Sequence, residues 1–218
     1  GWGGYWAWDP VENVALMPWL ALTAFLHSSM AQETRSLLRR WNICLIFLAF
    51  FLSIFGTFIT RSGLISSVHS FAQSSIGPYF IIFILIIVGF SIFMYQKNKS
   101  TILSKEDIVS LVSKENFLIF NNIFFLVITL TVFLGTVFPI ISEGITGEKI
   151  LVGPGFYDLV NFPNVLLLMS LMSIAPMIPW KDGKVVPILK IVLKPFAFSL
   201  LLTLIFFLYF DSIKVLIV

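Results

Sequence analysis

Six apolar runs, near residues 11–31, 41–60, 77–95, 117–141, 162–180 and 190–210, leave this chain few ways to fold. Each is close to the length of about 20 residues that a helix needs to cross a hydrocarbon core of about 30 Å. Lipid offers no partners to backbone N–H and C=O groups, so a spanning segment must satisfy them internally, as a helix does. The expected fold class is therefore an all-α integral membrane protein with about six transmembrane helices. Hydrophobic residues make up 58% of the 218 residues and charged residues 11%, more apolar surface than a soluble domain of this size could hide in one core.

The basic residues set the expected orientation. Arg35, Arg39 and Arg40 precede the second run, Lys97, Lys99, Lys105 and Lys114 the fourth, and Lys181, Lys184, Lys190 and Lys194 the sixth, so eleven of the fourteen fall in alternate loops. The positive-inside rule places those loops in the cytoplasm or its mitochondrial equivalent, the matrix. The N-terminal motif, the loops 61–77 and 142–161 and the C-terminus then face outward, to a periplasm or an intermembrane space. The acidic Glu143, Glu148 and Asp158 agree with that side.

The expected organisation is a motif over 1–15, three helices over 11–95, an inner loop at 96–116, and three further helices over 117–218. In the inner loop, Ser104 with Asp107 three residues later reads as the cap of a short surface helix. The sequence pI of about 9.0 does not indicate nucleic acid, because the basic residues are dispersed and form no patch interleaved with aromatics. The one partner that composition itself implies is membrane lipid. Cys44 is the single cysteine, which excludes a CxxC redox pair, a disulfide framework and a thiolate metal site. The chain opens on Gly rather than Met, with no leader ahead of its first motif, and the expectation is a truncated or naturally split piece of a longer protein.

That motif, GWGGYWAWDPVEN, concentrates three of the six tryptophans at Trp2, Trp6 and Trp8, with Gly3 and Gly4 between them. Asp9, Pro10 and Glu12 fit a helix start: Asp9 as N-cap, Pro10 where a missing N–H costs nothing, and Glu12 reaching back in a capping box. The tryptophans therefore stand just outside a helix, at the membrane–water boundary. An interfacial aromatic belt would account for the residue type, but it requires neither the paired glycines nor the fixed W-x-x-x-W-x-W-D-P spacing. A planar apolar ligand with polar edges also suits the cluster, since indole faces stack and indole N–H groups donate. Outward Arg61 is a candidate partner for ligand carboxylates, or else an arginine snorkelling to headgroups.

GWGGYWAWDPVENVALMPWL resembles the tryptophan-rich (WWD) heme-handling signature of the cytochrome c maturation proteins. Its continuation FLSIFGTFITRSGLISSVHSFA resembles the large heme lyase component of that system, the CcmF-like family, more than the shorter heme-delivery relatives. The likeness covers at least residues 1–72 and continues weakly at LVGPGFYDLVNFPN and SIAPMIPW; Tyr5 stands where members often carry another Trp. The resemblance implies heme b as cofactor, both as the heme being delivered and as a possible second heme embedded in the membrane. It implies Trp2, Gly3, Gly4, Trp6, Trp8 and Asp9 as the heme-handling surface. The implied partners are a membrane-tethered heme chaperone, apocytochrome c and other cytochrome c maturation subunits. The implied location is a bacterial inner membrane or, alternatively, a mitochondrial one.

Only two histidines occur. By residue type alone His69 is either a solvated loop histidine or an iron ligand; the resemblance, through S-V-H-x-F-A, implies a ligand of the delivered heme iron. His27 falls within the first run, where ionisable groups are rare and usually functional; it is either a neutral imidazole bonded to a neighbouring helix or, as the resemblance implies, a ligand of the embedded b-type heme. The resemblance implies two histidines for each heme, of which this sequence offers one: the partner of His69 is expected before the tryptophan motif and the partner of His27 beyond residue 218. No Ser-His-Asp set, phosphate loop or HExxH is present, and no catalytic acid or base is expected. The reading is a subunit of the cytochrome c heme lyase. Alternatives are a heme exporter or delivery subunit of the same superfamily, which should carry both outward histidines, and an ion-coupled transporter. The transporter predicts further intramembrane charges or broken helices, for which Pro18 is the one feature noted.

Overall fold

The computed structural model describes residues 5–35, 38–65, 67, 75–102, 112–180 and 185–217. Six α-helices follow one another: α1 (Pro10–Arg35), α2 (Arg39–Ser62), α3 (Gly77–Asn98), α4 (Lys114–Thr146), α5 (Pro154–Ile174), continued by a short 3₁₀ turn (Ala175–Met177), and α6 (Val185–Ile217). No strand occurs among the described residues, and all six helices are long and apolar enough to cross a membrane. The expected all-α, six-helix class is the one found.

The helix starts follow from local chemistry. Asp9 Oδ2 accepts the Val11 N–H at 3.0 Å, and Glu12 Oε2 accepts the N–H groups of Asp9 at 3.2 Å and Ala7 at 3.0 Å, so the capping box closes as its sequence implies. Ser113 caps α4 by accepting the Asn116 N–H. Besides Pro18 in α1, prolines stand inside α4 (Pro139), α5 (Pro163) and α6 (Pro195), yet each helix runs on through its proline. That uninterrupted backbone removes the broken-helix feature a transporter would have shown among the described residues.

α1, α2 and α4 form the core. Val14, Met17, Ala21 and Ala24 of α1 repeat at helical spacing and are all but fully buried against Leu45, Ala49, Leu52 and Ile59 of α2 and Phe125, Ile128 and Val132 of α4. In lipid the hydrophobic effect does not drive helices together, so close approach of small residues takes its place. Gly56 is one such contact: a Cβ there would lie 3.3 Å from the carbonyl oxygen of Val14. α5 packs on α4 and α3 on α2. The described side chains of α3 and α6 are largely exposed, as lipid-facing surfaces are.

The largest departure from the sequence pattern is α5. Its apolar run starts at 162, but the helix starts at Pro154, and α4 extends past 141 to Thr146. The outward connection expected at 142–161 shortens to 147–153. Gly153, Gly155, Asp158 and Asn161 dilute the hydropathy of that stretch, while Pro154 sits where proline starts a helix well. The capped helix expected at Ser104 lies outside the described residues.

Cross-chain bonds show which connections share an end. Trp8 meets Asp158, Ser67 meets Asp9, and Lys149 meets the Leu64 carbonyl, so the start of α1, the end of α2 and the α4–α5 connection lie together. At the other end the Lys114 N–H bonds the Pro179 carbonyl and Asn42 bonds Gln32. With Cys44→Ser as background, the charge distribution predicts that Glu148→Cys is labelled by an impermeant thiol reagent from the outer side of sealed vesicles and Lys97→Cys only from the inner side. Both labelled from one side would overturn the six-crossing orientation.

A candidate ligand cleft between helices α1, α4 and α5

Two residues ahead of α1 the chain bends sharply. Trp8 adopts φ 56°, a left-handed conformation that costs a non-glycine residue about 1–2 kcal/mol and persists only where surrounding contacts hold it. Those contacts are present. The Trp8 indole stacks on Tyr157 of α5 with centroids 5.0 Å apart and planes 11° apart, and its Nε1–H donates to Asp158 Oδ1 at 2.8 Å. Its carbonyl accepts from Asn13 Nδ2 at 3.1 Å. Trp6 meets Trp8 edge-on at 5.7 Å.

Tyr157 in turn is seated by α4. It is 2% exposed, and a Cβ on Gly135 would come within 2.7 Å of its ring, so only glycine leaves room for it. Thr136 and Asn13, themselves joined at 3.2 Å, stand beside its side chain.

Below Trp8 a largely apolar cleft of about 1220 Å³ opens between α1, α4 and α5. That is at or above the upper end of the ~300–1,000 Å³ of ordinary small-molecule sites. Leu16, Leu20, Thr23 and His27 line it from α1, spaced three and four residues apart on one helical face, with Trp19 beside them. Phe125 faces His27 at 5.7 Å and Trp19 at 6.5 Å. The rise of a helix puts His27 about 28 Å along the axis from Trp8, so one cleft runs from the tryptophan motif deep into the helix bundle. Polar groups on its walls are few. Asn161 of α5 is 3% exposed and neither its Oδ1 nor its Nδ2 has a partner, an expensive state for a buried amide.

Of the sequence candidates, Trp8 and His27 line this common cleft, and Trp6 and Asp9 stand at its outer end. Asp9 also accepts from Ser67 at 2.5 Å, which ties the chain after α2 to the start of α1. Arg61 lies in the last turn of α2, exposed at the same end. Trp2, Gly3, Gly4 and His69 lie outside the described residues. One expectation changes: the Trp8 indole N–H donates to Asp158 and not to a ligand edge, and one face of its ring is covered by Tyr157. Sequence reasoning did not single out Tyr157, Asn161, Thr136 or Asn121 as site residues, although asparagines within apolar runs were a usable signal, since intramembrane polar residues commonly bridge helices.

This geometry can be set beside known proteins. A family model described as cytochrome C assembly protein matches residues 1–69. The cytochrome c-type biogenesis protein ccl1 of Rhodobacter capsulatus is 42% identical over 205 residues, which are 94% of this chain and 31% of that protein. The cytochrome c-type biogenesis protein CcmF of Escherichia coli is 32% identical over 213 residues, 97% of this chain and 33% of that one. A solved structure of the cytochrome c heme lyase CcmF matches with a TM-score of 0.71 at 32% identity, over 94% of this chain and 30% of that one. The chain belongs to the CcmF family. It spans about a third of the length of the curated relatives it matches, and its likeness to them extends through all six helices, well beyond the segment that the family model matches.

The Tyr157 seat in this CcmF-family chain is directly testable. Gly135→Ala forces a buried ring to move, and overpacking of this kind costs about 1–3 kcal/mol. The melting midpoint in detergent should fall and the near-ultraviolet circular dichroism of the tryptophans should change. Gly89→Ala on α3, where nothing lies within 4 Å of the added carbon, should do neither.

Proposed function

We propose that this chain is a heme-holding, multi-pass membrane part of a cytochrome c heme lyase. The observation that carries the reading is the cleft between α1, α4 and α5, which joins the tryptophan motif at its mouth to His27 in its wall in a chain of the CcmF family.

The residues present fit heme b. A macrocycle needs a wide slot with apolar walls and flat side chains, and the cleft has both, with Trp19 and Phe125 among its walls. It needs a neutral nitrogen for iron, and His27 offers an imidazole. When bound, the embedded heme supplies an iron that changes between ferric and ferrous. The chain's own part would be to hold the ring by its faces, to offer a nitrogen to its iron from His27, and to keep water out with the surrounding leucines and phenylalanines.

The delivered heme is a substrate. In this reading it arrives from a membrane-tethered heme chaperone and lies against Trp2, Trp6 and Trp8, with Gly3 and Gly4 allowing close approach and His69 offering a ligand to its iron. Arg61 is the candidate partner for its carboxylates. Apocytochrome c presents a CxxCH segment from the outer side, and each cysteine S–H adds across a vinyl C=C, sulfur to one carbon and hydrogen to the other, with no net change in oxidation state. Catalysis is then mainly positioning and calls for no general acid or base from this chain. Rigid seating of Trp8 by Tyr157 and Asp158 supports a preformed surface. Kinship with bacterial CcmF proteins supports the bacterial inner membrane as the site of action.

Absorption spectra of the detergent-purified protein, with the chains that co-purify with it, test this. Reduced heme bands should appear, should weaken in His27→Ala, and should weaken separately in His69→Ala. A colourless protein, or heme indifferent to both substitutions, would overturn the proposal.

A further inference from the structure

His27 is held by one face of α4. Asn121 and Phe125 stand one helical turn apart on that face, the Asn121 amide 2.6 Å from His27 Nδ1 and the Phe125 ring 5.7 Å from the imidazole centroid. Two contacts from one rigid surface leave the imidazole little freedom to rotate. They also settle which nitrogen is available: Nδ1 is engaged toward α4, so Nε2 is the nitrogen left to the cleft that His27 lines.

An imidazole in this position has two neutral tautomers. With Asn121 Nδ2 nearest Nδ1, the proton sits on Nε2, that nitrogen has no lone pair for a metal, and Asn121 Oδ1 is buried with no partner. A half turn of the amide exchanges O and N without changing its shape. Oδ1 then accepts the Nδ1 proton, and the Nε2 lone pair is free. We propose that Asn121 is the positioning residue of His27, its amide oxygen taking the Nδ1–H and thereby fixing the tautomer that presents Nε2 to a metal centre in the cleft. The inference rests on the reading of His27 as an iron ligand and adds to it the group that makes the imidazole competent. It follows the general pattern in which a metal-binding histidine donates its second N–H to a fixed acceptor.

The neighbouring pair supplies the control. Asn122 Nδ2 donates to Ser28 Oγ one residue further along both helices, so it bridges α1 and α4 without touching His27. If Asn121 were merely another bridge, the two asparagines would behave alike.

The first test needs no heme. In chain carrying ¹⁵N-labelled histidine and His69→Ala, so that His27 is the sole histidine, the nitrogen shifts should show Nδ1 protonated and Nε2 bare. Asn122→Leu should keep that pattern, while Asn121→Leu should turn it toward the Nε2–H form. An Nε2–H imidazole in the otherwise native chain overturns the inference, whether or not Asn121→Leu folds. The second test uses the heme-loaded protein. A stronger acceptor on Nδ1–H raises the electron donation of the imidazole and favours ferric iron. Asn121→Asp should therefore lower the midpoint potential of the His27-dependent heme, Asn121→Leu should raise it, and Asn122→Leu should leave it in place. Heme bands that depend on His27 but hold one potential in both Asn121 variants would overturn the positioning role while leaving the heme reading intact. Absence of any His27-dependent heme would overturn the heme reading, and the nitrogen shifts would still decide the tautomer.

Discussion

The arrangement of this protein depends on polar pairs between α1 and α4 in a medium that gives polar groups nowhere else to go. Asn13 with Thr136, His27 with Asn121, and Ser28 with Asn122 lie along one seam. Each bond across it is worth only about 0.6 kcal/mol in membranes, less than a single well-packed methylene. What they contribute is register. Sliding α1 along α4 by one turn would leave all of them unmatched in a low-dielectric interior, where an orphaned amide is costly. With the register set, the Asp9 cap and Trp8 fall opposite Tyr157 and Asp158 at one end, and His27 falls opposite Asn121 and Phe125 further in.

Much of this was legible in the sequence, for identifiable reasons. A helix in lipid must be long and apolar, so hydropathy finds it directly, and α1 to α4 began close to where their runs began. The Asp9–Pro10–Glu12 start is written in three closely spaced residues and closed as expected. α5 was misjudged by eight residues because its first two turns carry Gly155, Asp158 and Asn161 and do not look like membrane. The same residues make that segment part of the site. Its polar side chains are tolerated in a helix because they face Trp8 and the cleft and not lipid.

The pairings themselves could not be read from one chain. Trp8 with Asp158 is a contact across 150 positions and His27 with Asn121 one across 94, and residue type alone does not say which apolar helix lies against which. His27 stood out because the chain has only two histidines, and the tryptophans because three of the six fall within seven residues at the start of the chain. Tyr157 and the asparagines carry as much of the geometry; an asparagine inside an apolar run marks a helix bridge, but its local context does not say which helix or which side chain it meets.

The Gly135–Tyr157 contact acts as a spacer. A phenol ring lying over a bare stretch of α4 sets the gap between α4 and α5 by its own size. Further along, α5 forms one wall of the cleft and α1 and α4 the others, so the ring is one of the contacts that hold the slot open, as a hinge block holds a pair of tongs. A larger or smaller side chain in place of that ring would therefore shift α5 against α4 and alter the slot without changing any residue that lines it.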